Sequence, residues 1–228
     1  MFIAVESSDF VNSTKMSEQT YSLAIACLKS ELLAHSKRYN TSFEIFRGDA
    51  FQVLYNEAEH AFKAAILTKL KLLYAIENTP IHVSQALIFG EQALSDSSIS
   101  ENMGEVAIQS GRLLDKTKGG ALTIALKQED DEFKVRAQEA ASGTYDVNAA
   151  ISLIQALLNH HLASMTQKQA EVVYHYINEN FSDQQSIADM LGMTRQNVAA
   201  HLKRGGATLF KQSIEFYEKH LPYHEIQH

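Results

Sequence analysis

The stretch SFEIFRGDAFQVLY, residues 42–55, decides the fold of the first part of this 228-residue chain. It contains two apolar, β-forming runs, SFEIF and AFQVLY, separated only by Arg47, Gly48 and Asp49. Two such runs joined by a short turn that contains glycine are typical of a β-hairpin. We therefore predict a hairpin here, with Asp49 at its tip.

Helical and strand-like patterns alternate on either side of this hairpin. Apolar residues recur at helical spacing over residues 17–38 and again over 57–77. They are preceded by an apolar run over residues 1–6 and a polar loop, SSDFVNST. They are followed by the runs IHVSQALIF and ALTIALK, with a short helix over about 105–116 between these two. The order strand, helix, hairpin, helix, strand, helix, strand predicts an α+β sandwich of the ferredoxin-like kind, with helices on one face of the sheet.

Composition limits the classes of protein to which the chain can belong. The single cysteine excludes a disulfide framework and favours a cytoplasmic location. No apolar stretch is long enough to predict a membrane span, so we expect no membrane partner. The net charge of −7 gives no bulk attraction to nucleic acid, so any DNA binding requires a local basic patch.

Every pattern from Asp146 onward is helical. We predict an α+β domain over residues 1–143, a linker or dimerisation helix over 144–164, and an all-α helix-turn-helix domain over 165–228. The stripe of apolar residues in the linker suits either the seam of a homodimer or a helix buried against its own domain; its members are Val147, Ile151, Ile154, Leu158 and His161.

The last domain carries a regular set of helix signals. Thr166 can cap a first helix that runs to about Glu179, and Ser182 with Gln185 forms a capping-box pattern for a second. Gly192 permits a tight turn, after which Thr194 can cap a third helix. Val198 and Leu202 are expected to face inward from that third helix.

This segment resembles the helix-turn-helix of bacterial regulators and the promoter-binding region of sigma factors. The resemblance implies that the third helix reads DNA, since Arg can bind guanine and Gln or Asn can bind adenine. The alternative is a helical interaction module that does not touch DNA. The expected DNA-binding residues are Thr194, Arg195, Gln196, Asn197, His201, Lys203 and Arg204.

Two carboxylates in the first domain are expected to meet. Asp9 stands at the end of the first strand and Asp49 at the tip of the hairpin beside it. Close carboxylates repel each other unless a cation or proton neutralises them, and Mg²⁺ or Mn²⁺ suits oxygen ligands. The turn Asn12-Ser13-Thr14, which leads toward a helix, suits the phosphates of a nucleotide. Alternatively, both aspartates serve only as loop, cap or turn residues.

Four segments in this domain resemble, in order, motifs of the class III nucleotide cyclases: DFVNST, RGDAF, IHVSQALIFGE and GEVAIQSGRLL. The resemblance covers about residues 1–126, and the smaller SatD-like bacterial proteins share this layout together with a helical tail. It implies that Asp9 and Asp49 bind metal and that Arg112 steadies the phosphate that is transferred.

The chain departs from the cyclase pattern at Ile45 and Ile108. Ile45 replaces the base-reading lysine, Ile108 replaces the catalytic asparagine, and Glu101 stands near the place of the second base-reading residue. Two isoleucines can neither read a purine nor stabilise developing charge, which argues against cyclisation.

These patterns lead to one prediction of function and two alternatives. The prediction is a cytoplasmic, homodimeric transcriptional regulator that binds double-stranded DNA and uses a degenerate cyclase-like domain to sense a phosphate-bearing ligand or to dimerise. The first alternative is an enzyme, a divalent-metal-dependent nucleotidyl cyclase or related phosphoryl-transfer protein with a helical partner-binding tail. The second is a scaffold that neither catalyses nor binds DNA.

Overall fold

The computed structural model describes residues 1–46, 48–91, 104–127 and 147–220. Its strands are β1 (Phe2–Phe10), β2 (Thr41–Phe46), β3 (Ala50–Tyr55), β4 (Val83–Glu91) and β5 (Leu122–Leu126). Its helices are α1 (Glu18–Tyr39), α2 (Ala61–Tyr74), α3 (Glu105–Lys116), α4 (Val147–Ser164), α5 (Gln167–Asn178), α6 (Gln184–Leu191), α7 (Arg195–Arg204) and α8 (Ala207–His220). In these ranges no helix is both long and apolar enough to cross a membrane.

The strands form one sheet in the order β2-β3-β1-β4-β5. All neighbouring strands are antiparallel except β4 and β5, which are parallel. The predicted hairpin is confirmed as β2 and β3, with Phe46 opposite Ala50. The mixed α+β class predicted from the element order is confirmed as well.

Helices cover both faces of the sheet, so the prediction of helices on one face only was wrong. Ala4 of β1 belongs to the core that contains α2, whereas its neighbours Ile3 and Val5 pack against Val106 of α3. The central strands β1 and β4 are buried along nearly their whole length. Strands that are apolar on both faces need cover on both, which α3 supplies on the second face.

Strand β1 extends four residues beyond the predicted run, through residues that we expected in a polar loop. Its polar side chains find partners inside the protein: Ser8 Oγ donates to Glu6 Oε1 at 2.7 Å, and the hydroxyls of Ser7 and Ser110 lie 2.8 Å apart. Hydrogen bonds between buried side chains thus allow a polar sequence to continue a central strand.

The helix signals of the C-terminal part are mostly confirmed. Thr166 forms a capping box with Gln169 at the start of α5, and Thr194 caps α7. Gly192 has a φ of +62°, the left-handed conformation that glycine adopts without strain. The cap of α6 was predicted one residue too early: Asp183, not Ser182, accepts hydrogen bonds from the backbone N–H of Gln185 and Ser186.

These C-terminal helices share a core with the sheet domain. Helix α5 packs along α2, and the amide of Gln167 donates to the carbonyls of Leu73 and Ile76 at 3.0 and 2.7 Å. Tyr217 of α8 stacks on Phe62 of α2 with ring centroids 4.2 Å apart. A separate all-α helix-turn-helix domain is therefore not confirmed. The predicted boundary at residue 143 lies outside the described residues and stays a prediction.

Helix α4 runs along the edge strand β5. Asn159 accepts from the N–H of Leu122 and donates to its carbonyl, both at 2.8 Å, and Gln155 accepts from the N–H of Ile124 at 2.6 Å. Ile151 and Leu158, from the stripe assigned to a dimer seam, are buried in the core of the same chain. Helix α4 therefore packs against its own domain, where it covers a sheet edge that would otherwise be unpaired. The homodimer stays a prediction.

Candidate functional site

The end of β1 and the tip of the β2–β3 hairpin bring Asp9 and Asp49 together. Asp9 stands opposite Ala50 in the β1–β3 ladder, and the N–H of Phe10 donates to the carbonyl of Asp49 at 3.1 Å. The two residues therefore lie side by side, as the strand order predicted. Their role as metal ligands stays a prediction.

The carboxylates of Asp9 and Asp49 repel each other. The side chain of Asp9 reaches the surface, but the surrounding protein removes part of its hydration. This desolvation, and then the neighbouring charge of Asp49, raise the pKa of Asp9, while Lys118 partly opposes the shift. Two carboxylate oxygens with excess negative charge fit a hard divalent cation, which fills the rest of its shell with water or phosphate oxygens.

Two contacts hold the hairpin tip in place. Ser13 Oγ donates a 2.6 Å hydrogen bond to Oδ2 of Asp49, which orients that carboxylate. Gly48 has a φ of +86°, and a side chain there would overlap the hydroxyl of Tyr21 on α1. The positive φ at this tip therefore favours glycine, and any side chain there would also force the Tyr21 hydroxyl to move.

The residues predicted to bind phosphate lie beside the pair but do not lead directly into a helix. Ser13 begins a short 3₁₀ turn, and Asn12 before it is left-handed with a φ of +57°. Helix α1 starts only at Glu18, where Ser17 is the cap and accepts from the N–H of Thr20. Asn12 and Thr14 are exposed, and the phosphate-binding role of the three residues stays a prediction.

Arg112 is exposed on α3, the helix that covers the Asp9 face of the sheet. Side chains alternate along a strand, so Asp9 points to the same face as Ser7, which contacts Ser110 of α3. Among the described residues, Arg112 forms no ion pair with Asp9 or Asp49. Its phosphate role stays a prediction.

The positions that depart from the cyclase pattern have different surroundings. Ile45 is opposite Phe51 in the hairpin and packs against the main core. Ile108 is half-buried on α3. Glu101 lies outside the described residues.

A buried polar network under the sheet was missed from the sequence. Glu6 is fully buried and accepts hydrogen bonds from Ser8, from Gln85 at 2.8 Å and from Tyr55 at 2.6 Å. Lys69 of α2 is buried beside it and donates to the carbonyl of Val83. A charged residue inside an apolar strand or helix is the signal that could have revealed both groups.

The residues predicted to bind DNA lie on α7 and at its start. The side chain of Thr194 accepts from the N–H of Asn197 at 3.2 Å, while Arg195, Gln196, Lys203 and Arg204 are exposed. Burial, and then the charge of Arg204, lower the pKa of His201. The lower pKa reduces the positive charge that His201 carries at neutral pH.

No protein-family model and no curated protein matches the chain. Among solved structures it is similar to the guanylyl cyclase Cya2, with 14% identity, a TM-score of 0.41, and coverage of 55% of this chain and 75% of that one. It is also similar to the monomeric guanylyl cyclase domain of the RhoGC fusion protein from the aquatic fungus Blastocladiella emersonii, with 16% identity, a TM-score of 0.44, and coverage of 54% and 80%. A third is the adenylyl cyclase CyaB from P. aeruginosa, with 13% identity, a TM-score of 0.41, and coverage of 61% and 81%. Likenesses this distant assign no activity, and kinship with the SatD-like proteins is not shown.

The prediction of a DNA-binding transcriptional regulator, with double-stranded DNA as partner, was wrong. The solved structures named above are nucleotide cyclases, and none of them is a DNA-binding regulator. Packing also explains the spacing that suggested a DNA-binding motif. Val198 and Leu202 are buried in the shared core, and α5 is fixed on α2 rather than on a separate module.

Proposed function

We propose that the chain is a divalent-metal-dependent phosphoryl-transfer enzyme, of the nucleotidyl cyclase or a related type, with its site at Asp9 and Asp49. The observation that carries the proposal is the meeting of these two carboxylates at the end of β1 and the hairpin tip. The raised pKa of Asp9 supports it, because an uncompensated pair of this kind gains most from a bound cation.

Each neighbouring group has a distinct part in this proposal. Asp9 and Asp49 hold Mg²⁺ or Mn²⁺, and Ser13 orients the Asp49 carboxylate through its 2.6 Å hydrogen bond. The cation supplies positive charge to the phosphates that complete its shell. Asn12 and Thr14 offer exposed donors on the adjoining turn. Arg112 can hold a phosphate oxygen through its planar guanidinium.

The apolar residues at 45 and 108 shape the expected specificity. Neither Ile45 nor Ile108 can donate or accept a hydrogen bond through its side chain, so neither can distinguish one base from another. We therefore expect the enzyme to recognise the phosphates rather than the base, and to accept ATP, GTP, CTP and UTP with similar efficiency. Slow turnover is expected too, since Ile108 cannot stabilise developing charge.

The test is incubation of the purified chain with each of the four triphosphates and Mg²⁺ or Mn²⁺. Chromatography of the products separates cyclic nucleotides from diphosphates and inorganic phosphate. We expect multiple turnovers with metal, none in EDTA, and a loss of more than about a hundredfold in Asp49→Asn, beyond what supporting residues cost.

Asp189→Asn on α6 is the matched control, because it removes an exposed carboxylate from the C-terminal helices rather than from the sheet and α3. It should leave the rate unchanged. The proposal fails if no triphosphate is consumed with either metal, or if Asp49→Asn keeps the full rate.

A further inference from the structure

A cavity of about 330 Å³ lies between α2, α4 and the ends of the strands. It is at the same end of the sheet as Asp9 but on the opposite face, under the helices of the main core. Its volume is at the small end of the range seen for ligand sites. The residues that line it are Val11, Lys69, Leu73, His82, Val83, Gly119, Gly120, Ala121, Asn159, Leu162 and Ala163.

Lys69 is the charged residue in this lining. Its side chain is 3% exposed, and one of its three N–H donors binds the carbonyl of Val83. Among the described residues no carboxylate lies within ion-pair distance of it, and the oxygens of Glu6 are occupied by Ser8, Gln85 and Tyr55. A buried cation with no anion in contact is costly, and a bound anion offsets that cost.

The other polar side chains of the lining offer an anion less positive charge than Lys69. The amide of Asn159 is occupied on both sides by the backbone of Leu122. Burial, and then the charge of Lys69, lower the pKa of His82, which reduces the positive charge of its ring at neutral pH. The rest of the wall is mainly aliphatic, from Val11, Leu73, Val83 and Leu162.

We propose that this cavity is a second binding site, for a small monocarboxylate with an apolar body whose carboxylate pairs with Lys69. One ammonium group matches a single negative charge, and the aliphatic wall matches a short hydrocarbon chain. The site is independent of the metal pair and does not rest on the function proposed above.

Calorimetry in EDTA at pH 6, where Lys69 keeps its proton although burial lowers its pKa to about 7, tests this site without the metal. The probes are butyrate and hexanoate, each compared with its neutral amide, together with inorganic phosphate. We expect saturable binding of the carboxylates and binding about tenfold or more weaker for the amides, because a hydrogen bond to a charged partner is lost. Asp49→Asn should bind the carboxylates like the wild type, which separates this site from the one at Asp9 and Asp49.

Two variants locate the binding. Lys69→Met should abolish it, and Ala163→Trp should weaken it about tenfold or more by filling the cavity mouth with an aromatic side chain from an exposed position. Ala156→Trp, two turns earlier on the same exposed side of α4, should have no effect. If Lys69→Met does not fold, Ala163→Trp decides.

Four outcomes overturn the proposal: equal affinity for carboxylate and amide, binding of phosphate alone, binding that survives Ala163→Trp, or no carboxylate binding at millimolar concentration.

Discussion

The hydroxyl of Tyr174 on α5 lies 3.0 Å from both carboxylate oxygens of Glu31 on α1. Glu31 is buried, and its other described contact is Nε2 of His35, 3.1 Å from Oε1. A buried carboxylate requires donors, so this contact ties the C-terminal helices to the sheet domain through a group that water does not reach.

Tyr174→Phe should therefore destabilise the whole protein. Removing the hydroxyl leaves Glu31 short of a donor, and we expect a loss of about 1–3 kcal/mol in the free energy of unfolding. Urea unfolding followed by circular dichroism and by tyrosine fluorescence measures this loss. Both probes should report one shared transition, because the helices and the sheet have a common core.

Tyr176→Phe on the same helix is the control, since its hydroxyl has no hydrogen-bond partner in the described part of the chain. It should cost much less than Tyr174→Phe. Two separate transitions would contradict the shared core, and equal effects of the two variants would contradict the role of Glu31.

Asp9→Asn should stabilise the metal-free protein at neutral pH. The pKa of Asp9 is raised by desolvation and then by Asp49, so the folded state binds the proton more tightly than the unfolded state. The stability that this provides is present in acid and is lost as the pH rises through the folded-state pKa. The gain in melting temperature for Asp9→Asn in EDTA should therefore increase from pH 4 to pH 7. A gain that is constant across this range would mean that the carboxylates do not interact.

Divalent cations should make the wild type more stable than Asp9→Asn, the reverse of the order expected in EDTA. Mn²⁺ or Mg²⁺ should raise the melting temperature of the wild type but not that of Asp9→Asn or Asp49→Asn. A cation at a hundred times its dissociation constant contributes about 2.7 kcal/mol to the folded state. A thermal shift in either variant equal to that of the wild type would place the cation elsewhere, for instance at the exposed group of Glu57, Glu59 and His60.

Gly48→Ala should weaken metal binding although it touches no ligand. The alanine methyl group would displace Tyr21, and the positive φ disfavours any side chain at this position. The hairpin tip should then shift, and Asp49 with it. Titration with Mn²⁺ by calorimetry should show weaker binding in Gly48→Ala than in Gly111→Ala, where a methyl group meets no atom within 4 Å. Equal affinities would show that Tyr21 and the turn do not position Asp49.

Local signals in the sequence predicted the hairpin, most caps and the meeting of Asp9 with Asp49. They succeeded because each depends on residues close in sequence or on neighbouring strands: a glycine turn at Gly48, a threonine cap at Thr166, and strand order for the two carboxylates. The cap of α6 was misplaced by one residue because Ser182 and Asp183 are both good caps, and only the fold selects between them.

Long-range packing could not be predicted in the same way. The pattern in α4 is equally suited to a dimer seam and to the edge of its own sheet. The contact of Asn159 with Leu122, which places α4 on β5, joins residues 37 positions apart in sequence. Helix α2 is buried on nearly all sides. Its apolar pattern therefore predicts a buried helix but does not indicate that α5 packs against it. The burial of Lys69 was not predicted, because a lysine in a helix is ordinarily at the surface.

Lys69→Met should flatten the dependence of stability on pH above neutrality. Burial lowers the pKa of Lys69 to about 7, while the charge of Glu6 opposes the shift. In the unfolded chain the amine keeps its proton up to about pH 10.4. Between these values the unfolded state binds more protons, so the stability of the wild type rises with pH, by up to about 1.4 kcal/mol per unit.

The useful window for this measurement ends near pH 8.5, because burial raises the pKa of the Cys27 thiol and its ionisation in the unfolded chain lowers stability above about that pH. Burial raises the pKa of Tyr74, Tyr174 and Tyr217, so their ionisation in the unfolded chain lowers stability above about pH 10. Urea unfolding from pH 6.5 to 8.5 should show a rising free energy of unfolding in the wild type and in the exposed control Lys37→Met, and a much smaller rise in Lys69→Met. Near pH 7 the methionine variant should equal or exceed the wild type in stability, because it removes a buried charge that lacks a contacting anion. Parallel pH profiles for all three proteins would mean that Lys69 keeps an ordinary pKa, and hence that water or an anion already solvates it in the cavity.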